Sequence, residues 1–207
     1  MNVPPRLETA RLILRPFLLS DAQRVQQLAG AKEVAATTLN IPHPYEDGAA
    51  ADWIKGHQRL FRENKALELA ICLKDTQELI GALGLRIDEH HKRGFLGYWV
   101  GKQYWNKGYC TEAAQAVLRY GFYVLDLHRI FAAYFSHNLA SGKVLQKLGM
   151  KKEGVLRKQV KKWGEFYDLV YCGMLKSEYL KKEQPKVIQI DDALRLRAYD
   201  GNYKQAV

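Results

Sequence analysis

The stretch that decides the fold is Phe95–Ala116, FLGYWVGKQYWNKGYCTEAAQA. An apolar run ends at Gly101, a short polar link follows, and a helix opens at Asn106-Lys107-Gly108-Tyr109-Cys110-Thr111. The first amides of a helix have no partner inside it, and the backbone dipoles sum to partial positive charge there. A strand that feeds such an end makes a cradle for a phosphorylated ligand. Gly108 removes a side chain where backbone must come close, and Cys110 and Thr111 keep the turn small. The strand just before the cradle has backbone available for the rest of the ligand. That arrangement points to a long, extended cofactor with a diphosphate in its middle.

Upstream, the alternation in Ala10–Arg15 reads as a strand ending at Pro16. Ser20-Asp21 caps a helix running towards Gly30. Pro42 and Pro44 bracket a loop, and a second helix runs from about Glu46 to Glu63, with Ala50, Trp53, Ile54, His57 and Phe61 at helical spacing. Leu67–Leu73 and Leu79–Ile87 form a hairpin, and Gly81 or Gly84 marks a bulge in its second strand. Gly94–Gly101 is the fourth strand, and the helix from Gly108 to about Leu125 carries Ala113, Ala116, Val117, Tyr120 and Val124 on one stripe. Arg129–Phe135 is the fifth strand, Asn138 caps a short helix that stops at Gly149, and Met150–Val160 and Glu165–Leu175 are the last two strands. The order β-α-α-β-β-β-α-β-α-β-β predicts an α/β mixed sheet of about seven strands with helices on its faces.

The bulk numbers agree with one domain of ordinary size. The chain has 207 residues with 47% apolar and 11% aromatic content, enough for a core without staples. A single domain over 1–182 is expected, followed by a separable tail over 183–207, whose Lys186–Ile190 is a candidate edge strand or dimer contact. No window approaches a membrane span and the N-terminus lacks an apolar signal region, so the expected location is cytoplasmic. Cys72, Cys110 and Cys172 form neither a disulfide framework nor a zinc pattern, and the six histidines have no ligand spacing, so no metal is expected. The net charge of +10 is concentrated over 143–162, where Lys143, Lys147, Lys151, Lys152, Arg157, Lys158, Lys161 and Lys162 face only Glu153. No nucleic-acid motif accompanies these residues, which favours a solvated basic face and an anionic cofactor over direct nucleic-acid binding.

This order, with LETARLILRPF at Leu7–Phe17, IPHPYEDGAAADWI at Ile41–Ile54, GYWVGKQYWNKGYCTEA at Gly97–Ala113, the N-x-x-S of Asn138–Ser141, KLGM at Lys147–Met150 and WGEFYDLVYCGML at Trp163–Leu175, resembles the GCN5-related N-acetyltransferase (GNAT) superfamily. Within it, the chain is most similar to the branch that holds the ribosomal-protein N-terminal acetyltransferases RimJ and RimL. The resemblance implies acetyl-CoA as donor and a sheet whose fourth and fifth strands splay apart. It places the diphosphate on amides from Trp105 to Cys110, with Trp105, Asn106 and Cys110 departing from the commonest residues of that loop. The pantetheine arm would pair as a false strand with the backbone of Tyr98, Trp99 and Val100. The implied cofactor-binding set is completed by Asn106, Lys107, Gly108, Tyr109, Cys110, Thr111, Asn138, Ser141 and Lys143.

Acetyl transfer to an amine needs a neutral nitrogen, a stabilised oxyanion and a thiolate that leaves easily. Strand amides around Val100 can serve the oxyanion. Leu145 stands where many relatives place a tyrosine donor, so Ser141 is the catalytic candidate for the sulfur, the other reading of it being a helix-turn polar residue. Phe95 stands where a glutamate is often found, which leaves the base to Glu165, Asp168, Glu46 or a water relay. Glu165 is the candidate carried forward; a turn residue is its structural alternative. Glu112 fits the first helical turn better than the chemistry. Tyr45, Trp53, Tyr98 and Tyr134 are either acceptor-pocket walls or core. The expected activity is N-acetylation of a protein N-terminal α-amine. A small-molecule amine acceptor and a non-catalytic CoA-binding module are the alternatives.

Overall fold

The computed structural model describes residues 3–183. Eight strands build one sheet: β1 (Leu7–Glu8), β2 (Leu12–Arg15), β3 (Ala66–Leu73), β4 (Leu79–Asp88), β5 (Arg93–Val100), β6 (Arg129–Phe135), β7 (Lys151–Lys162) and β8 (Glu165–Leu175). Their spatial order is β1-β2-β3-β4-β5-β6-β8-β7, and every neighbouring pair is antiparallel except β5 and β6. The helices are α1 (Ala22–Ala29), α2 (Lys32–Ala36), α3 (Ala49–Lys55), α4 (His57–Arg62), α5 (Tyr109–Tyr123), α6 (Leu139–Leu148) and α7 (Lys176–Glu183). Central strands β3 and β4 read as nearly continuous apolar runs because helices cover both of their faces. Leu28 of α1 packs at Gly101 beyond β5, while Gly121 of α5 packs on Leu85 and Ile130 from the opposite face.

Several expectations are corrected in detail. The helix expected over Glu46–Glu63 breaks at Gly56 into α3 and α4, and its start at Glu46 is loop. The five-residue α2, the two-residue β1 and the closing α7 carry too little periodicity to be read. Asp21 does not simply cap α1. Its carboxylate takes the Leu18 amide at 2.8 Å and both arms of the Arg15 guanidinium, tying β2 to the helix entrance. The bulge lies beside Gly81, where Ile80 is the extra residue between the pairs Ile71–Gly81 and Cys72–Leu79, whereas Gly84 pairs regularly with Glu68. The strand expected at Lys186–Ile190 lies outside the described residues, as does the dimer contact expected of the tail.

What positions the site is the seam between β5 and β6. These strands pair only at Arg93–Phe95 with Arg129–Phe131, where the Phe95 and Phe131 rings meet edge-on at 5.2 Å. Beyond that point they diverge, and β6 stays paired with β8 to its end at Phe135. The Gly101 amide donates to the Ile80 carbonyl at 2.9 Å, so the alternate residues Trp99 and Gly97 bond back to β4. The main-chain groups of Leu96, Tyr98 and Val100 therefore face the gap.

Candidate active site

The gap widens into a cavity of about 850 Å³. Its floor comes from β4 and β5, its far wall from β6 and α6, and its roof from the loop Thr37–Pro42 with Tyr45 and Trp53. At the far end of β5, the loop into α5 supplies the cradle. Asn106 (φ 61°) and Gly108 (φ 81°) both take the left-handed conformation, which turns the chain so that the first amides of the fifteen-residue α5 point outward. A Cβ on Gly108 would meet only the tip of Arg11, at 3.5 Å, so the glycine serves the backbone angle more than the space.

The cavity brings together most of the residues singled out from sequence: Tyr98, Trp99, Val100, Asn106, Gly108, Tyr109, Cys110, Thr111, Asn138, Ser141 and Lys143 all line it. Lys107 does not; its ammonium lies over the Tyr104 ring and its carbonyl accepts from Arg11 at 3.0 Å. The Val100 carbonyl takes the Trp105 indole N–H at 2.9 Å, while the Val100 amide faces the gap with those of Leu96 and Tyr98. The Cys110 thiol turns inward, and burial pushes its pKa up to about 12, so it stays protonated. Asn138 caps α6 by accepting the Ser141 amide at 3.1 Å, and its amide group donates to the Thr37 carbonyl at 3.3 Å. One side chain thus fixes both the helix start and the roof.

Ser141 Oγ and Tyr98 Oη lie 2.9 Å apart, a hydroxyl pair across the mouth of the gap. Burial raises the Tyr98 phenol far above its ordinary value, so both groups stay protonated donors. Leu145 is core. Glu165 stands exposed at the end of the β7–β8 hairpin, beside Lys158 and Phe166 around a separate shallow depression, and does not line the cavity. Asp168 is occupied at the irregular stretch of β7, where it accepts the Lys158 amide at 2.8 Å. Glu46 is exposed and outside the lining. Glu112 holds the N-terminal edge of the sheet to α5, accepting from Thr9 Oγ1 at 2.6 Å and from the Arg11 amide at 2.8 Å.

Three residues at the site escaped the reading of the sequence. Arg11 spans from β2 to the cradle, bonded to Glu112 and stacked 4.7 Å over the Tyr109 ring. Lys162, expected on the solvated basic face, is only 8% exposed, and its ammonium donates to the carbonyls of Thr38, Leu39 and Ile41. Desolvation lowers its pKa. The third is Glu68 of β3, the one carboxylate among the cavity-lining residues. Burial raises its pKa to about 7, partly offset by the charge of Arg86. Its only sequence signal is an acidic residue inside a strand otherwise buried on both faces.

The sequence profile of the family described as "Acetyltransferase (GNAT) domain" matches residues 11–151. The chain belongs to the GNAT family. It is 38% identical over 175 residues to the uncharacterized N-acetyltransferase p20 of Bacillus licheniformis, covering 84% of this chain and 97% of that protein. It is 28% identical over 180 residues to the [ribosomal protein uS5]-alanine N-acetyltransferase of Escherichia coli, covering 84% of this chain and 92% of that one. Among solved structures, RimL, a ribosomal L7/L12 α-N-protein acetyltransferase in complex with coenzyme A, superposes with a TM-score of 0.77 at 19% identity, over 83% of this chain and 98% of that one. This GNAT protein is an acetyl-CoA-dependent N-acetyltransferase, and no helix among its described residues is long and apolar enough to cross a membrane.

Proposed function

We propose that this GNAT enzyme acetylates the N-terminal α-amine of a polypeptide, acting in the cytoplasm through a single catalytic domain over residues 1–182. The observation that carries the reading is the charge inventory of the cavity: Glu68 is its single carboxylate, while Arg86, Lys143 and Lys147 are its cations. A polyamine brings two or more ammonium groups, and one carboxylate facing three cations leaves the others without a partner. A single α-ammonium matches one carboxylate. Leu39 and Trp53 line the cavity and are also solvent-exposed, giving an apolar rim on which residues beyond the first can lie. The names of the ribosomal-protein acetyltransferases among the relatives point the same way.

In this reading the α5 amides from Tyr109 to Thr111 hold the diphosphate, with Arg11, Lys143 and the exposed Lys107 adding positive charge nearby. The gap-facing main chain of Tyr98 and Val100 holds the pantetheine arm, and the Trp99 side chain forms part of the floor. The gap-facing strand amides around Val100, that of Tyr98 among them, receive the developing oxyanion. The Ser141 hydroxyl, oriented by Tyr98 and by the Asn138 cap, donates to the departing sulfur. Acetyl-CoA supplies the thioester; the chain supplies orientation and hydrogen-bond donors.

Free-thiol release with purified protein, acetyl-CoA, a panel of N-terminal peptides and a panel of small amines tests the assignment. Peptides are expected to exceed spermidine in kcat/KM by at least about 100-fold, since amines of pKa about 10.4 are almost wholly protonated at neutral pH and an α-amine is not. Turnover confined to small amines refutes the peptide reading.

A further inference from the structure

We propose that Glu68, reaching from β3 across Gly84, takes the proton from the attacking amine and so replaces, from two strands away, the carboxylate that β5 lacks at Phe95. The inference rests on the reading of the cavity as the acceptor site. Its ground is a row of three residues in register across the sheet: Glu68 pairs with Gly84, and Gly84 pairs with Gly97. Directly paired residues point to the same face of a sheet, so all three share the floor of the cavity. Gly84 has no side chain, and the carboxylate lies across the vacant place: a Cβ there would meet Glu68 Oε2 at 2.2 Å. Gly97, the next in the row, opens onto empty space, with nothing within 4 Å of where its Cβ would stand. That space borders the splayed gap.

The carboxylate thus lies one strand spacing, about 4.8 Å, from the Gly97 backbone at the edge of the gap, and an amine seated over Gly97 is within its reach directly or through one water. Among the described residues no hydrogen-bond donor is paired with it, and Arg86 from β4 is the charged group on its own face. Lys143 and Lys147 on α6, the Cys110 thiol, and the phenols of Tyr45, Tyr98, Tyr104, Tyr109, Tyr134 and Tyr171 are the other ionisable groups that line the cavity. A carboxylate so covered, with no hydrogen-bond donor among the described residues, is costly to ionise and readily takes up a proton. Its raised pKa of about 7 is close to that of an α-ammonium, about 7.7–8.0, so proton transfer is nearly balanced. The same base is poorly matched to a lysine.

The nitrogen lone pair forms the C–N bond to the acetyl carbon, and the nitrogen's proton passes to a Glu68 oxygen. The C–S bond breaks with its electron pair on sulfur, which takes the Ser141 hydroxyl proton; Ser141 regains a proton from solvent, and Glu68 returns its own proton to water.

Glu68→Gln keeps the shape and removes the base. With a peptide that the wild type acetylates, kcat is expected to fall by about 100-fold or more while the calorimetric affinity for coenzyme A stays within about twofold. The wild-type rate should rise through about pH 7, and this limb should vanish in Glu68→Gln and survive, at reduced height, in Glu68→Asp. A carboxyl carbon titrating near pH 7 by NMR, lost in Glu68→Gln, reports the same group without turnover. A Glu68→Gln enzyme with wild-type kcat and an unchanged pH limb overturns the inference, as does a raised KM with kcat untouched, which assigns Glu68 to ammonium binding alone. A loss found in Glu165→Gln and absent in Glu68→Gln overturns it too. Peptide turnover by the wild type is measured first, so failure of the acceptor reading is separable from failure of the base.

Discussion

Replacing Glu68 by glutamine should make the folded protein more stable in mild alkali, at the cost of its chemistry. Burial raises this carboxyl to about 7 from an ordinary 4.5. A carboxyl raised on folding binds more protons in the native than in the unfolded chain between those two values. Stability therefore falls as pH rises from about 4.5 to about 7, and the deficit is complete above that. The gap between the two values corresponds to about 3 kcal/mol as an upper bound, since cavity water screens part of it. Glutamine carries no such penalty. At about pH 8 the variant should melt higher by up to about 6–12 °C, and the difference should shrink towards zero near pH 4, where both side chains are neutral. Paired thermal melts of wild type and variant at the two pH values measure it. A variant that melts at or below the wild type at pH 8 refutes the picture of an ionised carboxylate left without a donor.

Lys162→Met removes the ammonium that holds the carbonyls of Thr38, Leu39 and Ile41, so the roof should loosen: a loss of about 1–3 kcal/mol in stability and a raised acceptor KM, with coenzyme A affinity unchanged. Melting and steady-state kinetics read the two effects separately. Gly108→Ala has room for its methyl group but must hold φ at 81°, which should cost about 1–2 kcal/mol and weaken coenzyme A binding about tenfold by calorimetry. Ser141→Ala removes one member of the hydroxyl pair 2.9 Å from Tyr98 and should lower kcat by about tenfold in the thiol-release assay, leaving the Asn138 cap to the Ser141 amide intact.

The segment Phe95–Ala116 was legible because its signals are local. An apolar run, a glycine that must take a left-handed angle and a stripe on α5 all sit within one turn or one strand of each other. The caps at Asn138 and Gly149 were legible for the same reason. Glu68 was not, because its meaning depends on register. Only the pairing of β3, β4 and β5 sets it in line with two glycines beside the gap. Lys162 was hidden likewise: in sequence it ends a run of lysines, and only the fold sets it beneath a loop 121–124 residues away. Glu165 and Asp168 lie close in sequence to motif residues, yet the hairpin carries Glu165 out to solvent and β7 occupies Asp168. Sequence neighbours reveal caps and turns; charge balance inside a cavity is a tertiary fact.

In the proposed reaction, thioester and amine meet in the β5–β6 gap. A crystal structure of the protein with coenzyme A and an acceptor peptide tests it most directly. The expected map has the diphosphate on the amides following Gly108, the sulfur beside Ser141, and the peptide nitrogen above Gly97 within one water of Glu68. Coenzyme A bound outside the gap, or a peptide nitrogen lying away from the Glu68–Gly84–Gly97 row, contradicts it.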